Sequence, residues 1–258
     1  MSRAPLKLTP KGPFFVGYNP PTSAVRRGLL FGGLATTLAA GLTGAAAGGF
    51  LTPPGPGRWD PSKVETWRGR LVMDPYPRLR FVDSSGTPGS ALIGCPDKCG
   101  VALELAEYVD RLVEVSGSAA VRGDHLMITA SKPFGWIRVV ETAPPPAPAA
   151  LETLGSLTLE GELMDAKCWL GAMRPGEGLT HKGCAELCVR SGLPLLFVTG
   201  GPERDRRVFI ALAPDGQPLD QTILPWVADP VRVTGSVSRE DGWLRLRLSP
   251  GGLQRLKT

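Results

Sequence analysis

The chain has 258 residues, with 29 Lys and Arg against 24 Asp and Glu and a formal net charge of +5. All of the excess lies in residues 1–57, which hold Arg3, Lys7, Lys11, Arg26 and Arg27 and no acidic group, while residues 58–258 carry 24 groups of each sign. A basic folded face is therefore not expected, which argues against nucleic-acid binding, and 33 Gly and 26 Pro with only 7% aromatic residues predict a turn-rich chain of short strands.

Residues 1–27 read as a cytoplasmic arm, too rich in proline (Pro10, Pro13, Pro20, Pro21) for a helix. Its Phe14, Phe15 and Tyr18 suit a membrane interface or a partner surface. Residues 28–51 carry no charge. As a helix they would extend about 36 Å, against a hydrocarbon core of about 30 Å. The sequence thus predicts one transmembrane helix, entered after Arg26 and Arg27 and stopped at Pro53, Pro54 and Pro56. The positive-inside tendency places the bulk of the chain on the periplasmic side of a bacterial inner membrane. Gly28, Gly32, Thr36, Ala40, Gly44 and Gly48 recur every four residues and read as a docking stripe for another helix, beside a ridge of Leu30, Leu34, Leu38 and Leu42. Arg26-Arg27-Gly28-Leu29-Leu30 also resembles a twin-arginine export motif, with Ala45-Ala46-Ala47 as a cleavage site. An uncleaved anchor, delivered by either export route, is the expectation.

A Pro/Gly linker over 52–62 and a Pro-rich one over 143–151 bracket two external β modules, 63–142 and 152–258. The modules share landmarks that predict an internal duplication. Gly69-Arg70-Leu71-Val72-Met73-Asp74 matches Gly161-Glu162-Leu163-Met164-Asp165, and Val113–Ser118 matches Val231–Ser236. Gly94-Cys95-Pro96-Asp97-Lys98-Cys99 is likewise paired with Gly183-Cys184-Ala185-Glu186-Leu187-Cys188. Strands are expected at 78–82, 137–141, 195–199, 208–213 and 231–238. A turn at Asp241-Gly242 leads into a strand whose Leu244, Leu246 and Leu248 alternate with Trp243, Arg245 and Arg247 on a wet face. A short helix is expected over 183–191, closed by Gly192 and Pro194. The fold class is mainly β: an N-terminal transmembrane helix followed by two small OB-like barrels or sandwiches.

Five cysteines stand at 95, 99, 168, 184 and 188, an odd count that leaves at least one outside a pair. An exported compartment favours disulfides. These are local ones within each Cys-x3-Cys, or a bridge from Cys168 to Cys184 or Cys188. The alternative is a metal centre of Cys168, His181, Cys184 and Cys188, a Cys3His set that suits zinc or, less commonly, an iron–sulfur centre. The first expectation is no cofactor. Cys-x2-Cys-His is absent, which excludes covalently attached haem. Asp74 and Asp165 read as turn caps, His125 as a solvent-facing strand residue, and Arg204-Asp205-Arg206-Arg207 as a solvated turn.

The segment 161–194, GELMDAKCWLGAMRPGEGLTHKGCAELCVRSGLP, resembles a pattern in uncharacterised, membrane-anchored bacterial proteins that accompany membrane redox systems. The single anchor with an external β body also resembles the layout of Rieske subunits. The cluster does not carry over, because neither His125 nor His181 stands in a Cys-x-His ligand box. The docking stripe, the N-terminal arm, the duplicated β module and the lack of a catalytic constellation together predict a non-catalytic accessory subunit of a photosynthetic or respiratory electron-transfer complex. Its partners would be integral-membrane subunits and the lipid bilayer, with no nucleic acid. The second expectation is a membrane-tethered metal or redox protein built on the Cys3His set.

Overall fold

Apolar residues alternating with polar ones between glycine-marked turns make eleven strands among the described residues. The computed structural model describes scattered positions between 23 and 36, and residues 57–256 apart from 84, 133–134, 141–149 and 202–205. By contact, residues 1–52 and 53–258 form separate units.

The first unit corrects the expected spanning helix. No helix among the described residues is long and apolar enough to cross a membrane. The described helical positions fall between Ser23 and Thr36, and residues 37–51 of the expected span lie outside the described residues. Of the docking stripe, Gly28, Gly32 and Thr36 are helical. The Thr36 hydroxyl donates back to the carbonyls of Gly32 and Gly33, at 2.9 Å each. Ala40, Gly44 and Gly48 lie outside the described residues.

The second unit holds two barrels. In the first, β1 (Arg58–Met73), β2 (Pro77–Val82), β3 (Pro88–Gly94), β4 (Leu112–Arg122) and β5 (His125–Ala130) follow in order, with the short helix α1 (Ala102–Leu105) between β3 and β4. β1 pairs antiparallel with β2 and β4, β3 pairs parallel with β5, and β4 with β5 completes the ring. A short β6 (Ile137–Val139) adds to β4. The second barrel, of β7 (Glu152–Asp165), β8 (Leu195–Thr199), β9 (Val208–Leu212), β10 (Pro230–Glu240) and β11 (Trp243–Arg255), repeats that order, again with its third and fifth strands parallel. Two five-stranded barrels of one topology are consistent with OB-like modules. β1 begins at Arg58, inside the segment read as linker, and a bulge between Trp59 and Val64 accommodates Pro61.

The duplicated glycines have a common physical cause. An added Cβ would lie 2.1 Å from the Arg80 carbonyl oxygen at Gly69, and 2.0 Å from that of Val198 at Gly161. At Gly117 and Gly235 it would meet the carbonyls of Thr129 and Arg247, at 2.3 and 2.2 Å. Each barrel thus coils its first and fourth strands tightly against a neighbour at a residue without a side chain. The cysteine landmark is not equivalent. Cys95 and Cys99 follow β3, whereas Cys184 and Cys188 lie on α2 (Lys182–Arg190), in the connection between β7 and β8. Equal spacing in sequence joined a turn to a helix.

The barrels bury surface against each other. Leu71, Leu79, Ile93 and Val113 fill the first core, while Leu92, Ala120 and Met127, from the opposite face of the same sheet, join Leu163, Phe197 and Phe209 in the second cluster. β3 is consequently buried on both faces. Beside this apolar contact lies a balanced set of three arginines and three carboxylates. Arg78 meets Glu240 at 2.6 Å, Arg80 pairs with Glu240 and Asp241, and Arg245 reaches Asp74 at 2.9 Å and Glu240 at 3.1 Å. The expected wet face of β11 is therefore wet only in part: Trp243 and Arg245 are buried at this junction, and Arg247 is exposed. The Trp243 indole donates to the Ser90 carbonyl at 3.0 Å.

His125 also differs from expectation. It is half-buried, its ring 4.5 Å from that of Trp243 and 6.2 Å from that of Trp169. Burial pushes its pKa below 6.5, against the opposing charge of Asp124. The folded state thus prefers neutral imidazole. Its contribution is full above the unfolded value of 6.5 and is lost as pH falls through the depressed folded value. His125→Phe is expected to remove that component, so that unfolding midpoints at about pH 7.5 and pH 5 differ less than in the parent protein. An unchanged pH dependence in urea melts would reject this.

Candidate metal centre

The second barrel carries a long insertion between β7 and β8, and its side chains converge under the end of β7. The strand ends at Asp165, whose side chain is fully buried. One carboxylate oxygen accepts from the Cys168 backbone N–H at 2.9 Å, the turn-capping role expected of it. The other lies 2.9 Å from His181 Nε2. After Asp165 the chain makes one π-helical turn over Cys168–Ala172, broken at Gly171 with φ 141°. A side chain at Gly171 would strike the backbone of Gly57 and Arg58.

His181 ends a 3-10 turn (Leu179–His181) that runs into α2. It is 2% exposed, and its Nδ1 is buried without a partner among the described residues. Cys184 and Cys188 sit one turn apart on α2. Their sulfurs and that of Cys168 all lie within 4.8 Å of one another, and Cys168 to Cys184 is 3.9 Å. Asp165, Cys168 and His181 form a second such group, so Cys168 belongs to both. The three cysteines are free thiols, and neither bridge expected from Cys168 is formed. A hydrogen bond to Cys188, with burial added, pushes the Cys168 thiol up, and the same bond lowers Cys188. Cys168 is the donor of that bond.

In the first barrel Cys95 and Cys99 form a disulfide with Cα atoms 5.6 Å apart. Its loop supplies contacts that the sequence did not suggest. The sulfur of nearby Cys184 raises the pKa of Lys98. Buried Lys167 donates its ammonium protons to the carbonyls of Pro96, at 2.9 Å, and Asp97. The other residues singled out lie elsewhere. Asp74 pairs with Arg245, and Arg206 with Glu177. Arg207 takes part through its backbone N–H, which donates to the Thr199 hydroxyl at 2.8 Å. Arg204 and Asp205 fall outside the described residues.

No family model and no curated protein matches the chain. Among solved structures, the wild-type single-stranded DNA binding protein from Thermus aquaticus is 13% identical, over 81% of this chain and 89% of that one, with a TM-score of 0.21. A deletion mutant of the same protein is 12% identical, over 81% and 91%, with a TM-score of 0.22. Both neighbours are single-stranded DNA binding proteins, and no described helix is long and apolar enough to cross a membrane, so the expected membrane and electron-transport partners and the exclusion of nucleic acid are all withdrawn. That exclusion rested on charge summed over the body, whereas strand binding depends on local grooves and stacking aromatics, which a sum does not measure. At such TM-scores the likeness carries no argument for a ligand of this chain.

Proposed function

We propose that the protein binds one zinc ion through the sulfurs of Cys168, Cys184 and Cys188 and through Nδ1 of His181. The observation that carries this reading is the buried, unpartnered Nδ1 of a histidine whose Nε2 is already committed to Asp165. A buried polar atom left without a partner costs about 1–3 kcal/mol, and coordination would satisfy it. The carboxylate fixes the ring with its proton on Nε2, which leaves the Nδ1 lone pair for a metal. The sulfur spacing supports the same reading. With Zn–S bonds of about 2.3 Å, ligands at two corners of a tetrahedron stand about 3.8 Å apart, and Cys168 and Cys184 stand 3.9 Å apart. Four protein ligands leave no position for water, which fits a structural or carrier centre rather than a hydrolytic one. Its task would be to pin the insertion of the second barrel beneath β7.

Elemental analysis of purified protein tests the proposal. One zinc per chain is expected, without visible absorption, falling below about a tenth of that in Cys184→Ser and Cys188→Ser after dialysis. Protein that folds in excess zinc, retains none and leaves three titratable thiols would overturn it.

A further inference from the structure

The loop closed by the Cys95–Cys99 disulfide packs against both chain segments that carry the three free cysteines. From inside the ring, the carbonyls of Pro96, at 2.9 Å, and Asp97 accept from the ammonium of Lys167, next in sequence to Cys168. Lys167 is 4% exposed, and these carbonyls are the hydrogen-bond partners it has among the described residues. An ammonium that has given up its water needs such acceptors. Gly94 and Gly100, which flank the ring, meet the other segment just past α2. The Gly100 N–H donates to the Ser191 carbonyl at 2.6 Å. A Cβ added at Gly94 would lie 2.8 Å from Leu193 Cδ2. The loop thus touches residue 167 on one side and residues 191–193 on the other, and the sulfurs of Cys168, Cys184 and Cys188 stay together only while both are fixed.

We infer that the Cys95–Cys99 disulfide is a redox latch on the cysteine cluster: closed, it holds the two segments in place, and opened by an external dithiol it releases them. Cys99 is partly exposed and Cys95 is buried, so a thiolate of the dithiol attacks Cys99 Sγ. A mixed disulfide forms, and Cys95 leaves as a thiolate that takes up a proton. The second thiolate of the dithiol then closes on the first, and Cys99 leaves and is protonated. Two electrons pass to the protein, and the dithiol becomes a disulfide. A ring this short biases its loop against opened conformations by about 30-fold, and that bias is what reduction removes. The Lys167 anchor and the contact beyond α2 then loosen together. Only the consequence for zinc rests on the metal reading.

Hydrogen exchange read by mass spectrometry on the metal-free full chain, before and after dithiothreitol, tests the latch. Amides of residues 166–170 and 184–192 should exchange about tenfold faster after reduction, with β10 and β11 unchanged. Cys95→Ala/Cys99→Ala should show the fast exchange without reductant. Equal rates before and after reduction overturn the latch without need of any variant, and so does a rise spread evenly over both barrels. In the zinc-loaded chain, transfer of the metal to a chromophoric chelator is expected to be about tenfold faster from Cys95→Ala/Cys99→Ala than from the parent. A parent protein that takes up no zinc overturns the metal reading, while the exchange rates still decide the latch. Equal zinc transfer from both proteins overturns the hold of the latch on the site.

Discussion

Glu240→Ala is expected to destabilise the protein by about 3–5 kcal/mol. Its carboxylate receives Arg78 at 2.6 Å, Arg80 at 2.5 Å and Arg245 at 3.1 Å, and the Arg78 side chain is 0% exposed. Removing Glu240 leaves three positive guanidiniums at the barrel junction against two carboxylates, Asp241 and Asp74, among the described residues. A buried charge left without compensation costs far more than the pair itself contributes, because its hydration is not restored. The expected loss should vary little between low and high salt, since charges enclosed by protein are weakly screened. Arg239→Ala is the control. Arg239 meets Glu152 at 3.4 Å with both side chains more than half exposed, so its loss should fall within about 1 kcal/mol. Urea melts followed by Trp fluorescence would measure both, with Trp243 at the junction as the reporter. A Glu240→Ala cost no larger than the control would remove the network from any role in docking the barrels.

Legibility in the sequence followed the range of the forces involved. The strand expected at 195–199 is β8 as observed, and the helix expected at 183–191 is α2 shifted by one residue. The Asp241-Gly242 turn adopts positive φ at both residues, 48° and 81°, as a two-residue hairpin requires. These signals are local. The four duplicated glycines were legible for a related reason, since only a missing side chain tolerates a carbonyl at that distance. The junction was hidden because periodicity shows that one strand face is buried and not what covers the other. Trp243 and Arg245 therefore read as surface. Cys-x3-Cys spacing placed Cys184 and Cys188 on one helix face, yet it says nothing of backbone, so the disulfide loop at 95–99 passed for the same motif. His181 was visible as a companion to the cysteines. Its partner Asp165 was read only as a cap, because a spacing of 16 residues carries no helical or strand period.

Asp165→Asn should separate the two roles of that side chain. The asparagine oxygen can still accept from the Cys168 N–H, so the turn is retained and the metal-free protein should keep most of its stability. The amide nitrogen would face His181 Nε2 as a donor opposite a donor. Relief comes from moving the ring proton to Nδ1, and a protonated Nδ1 cannot ligate. Zinc affinity is therefore expected to fall about 10–100-fold. At fixed free zinc in excess, that fall removes about 1.4–2.7 kcal/mol from the stability of the zinc-bound protein. Asp165→Ala should lose the same affinity and about 1 kcal/mol more in the metal-free state, where the cap itself is gone. Competition against a chromophoric chelator gives the affinities, and urea melts with and without zinc give the stabilities. If Asp165→Asn matched the parent protein in both, the carboxylate would be orienting nothing, and His181 could not be counted among the ligands.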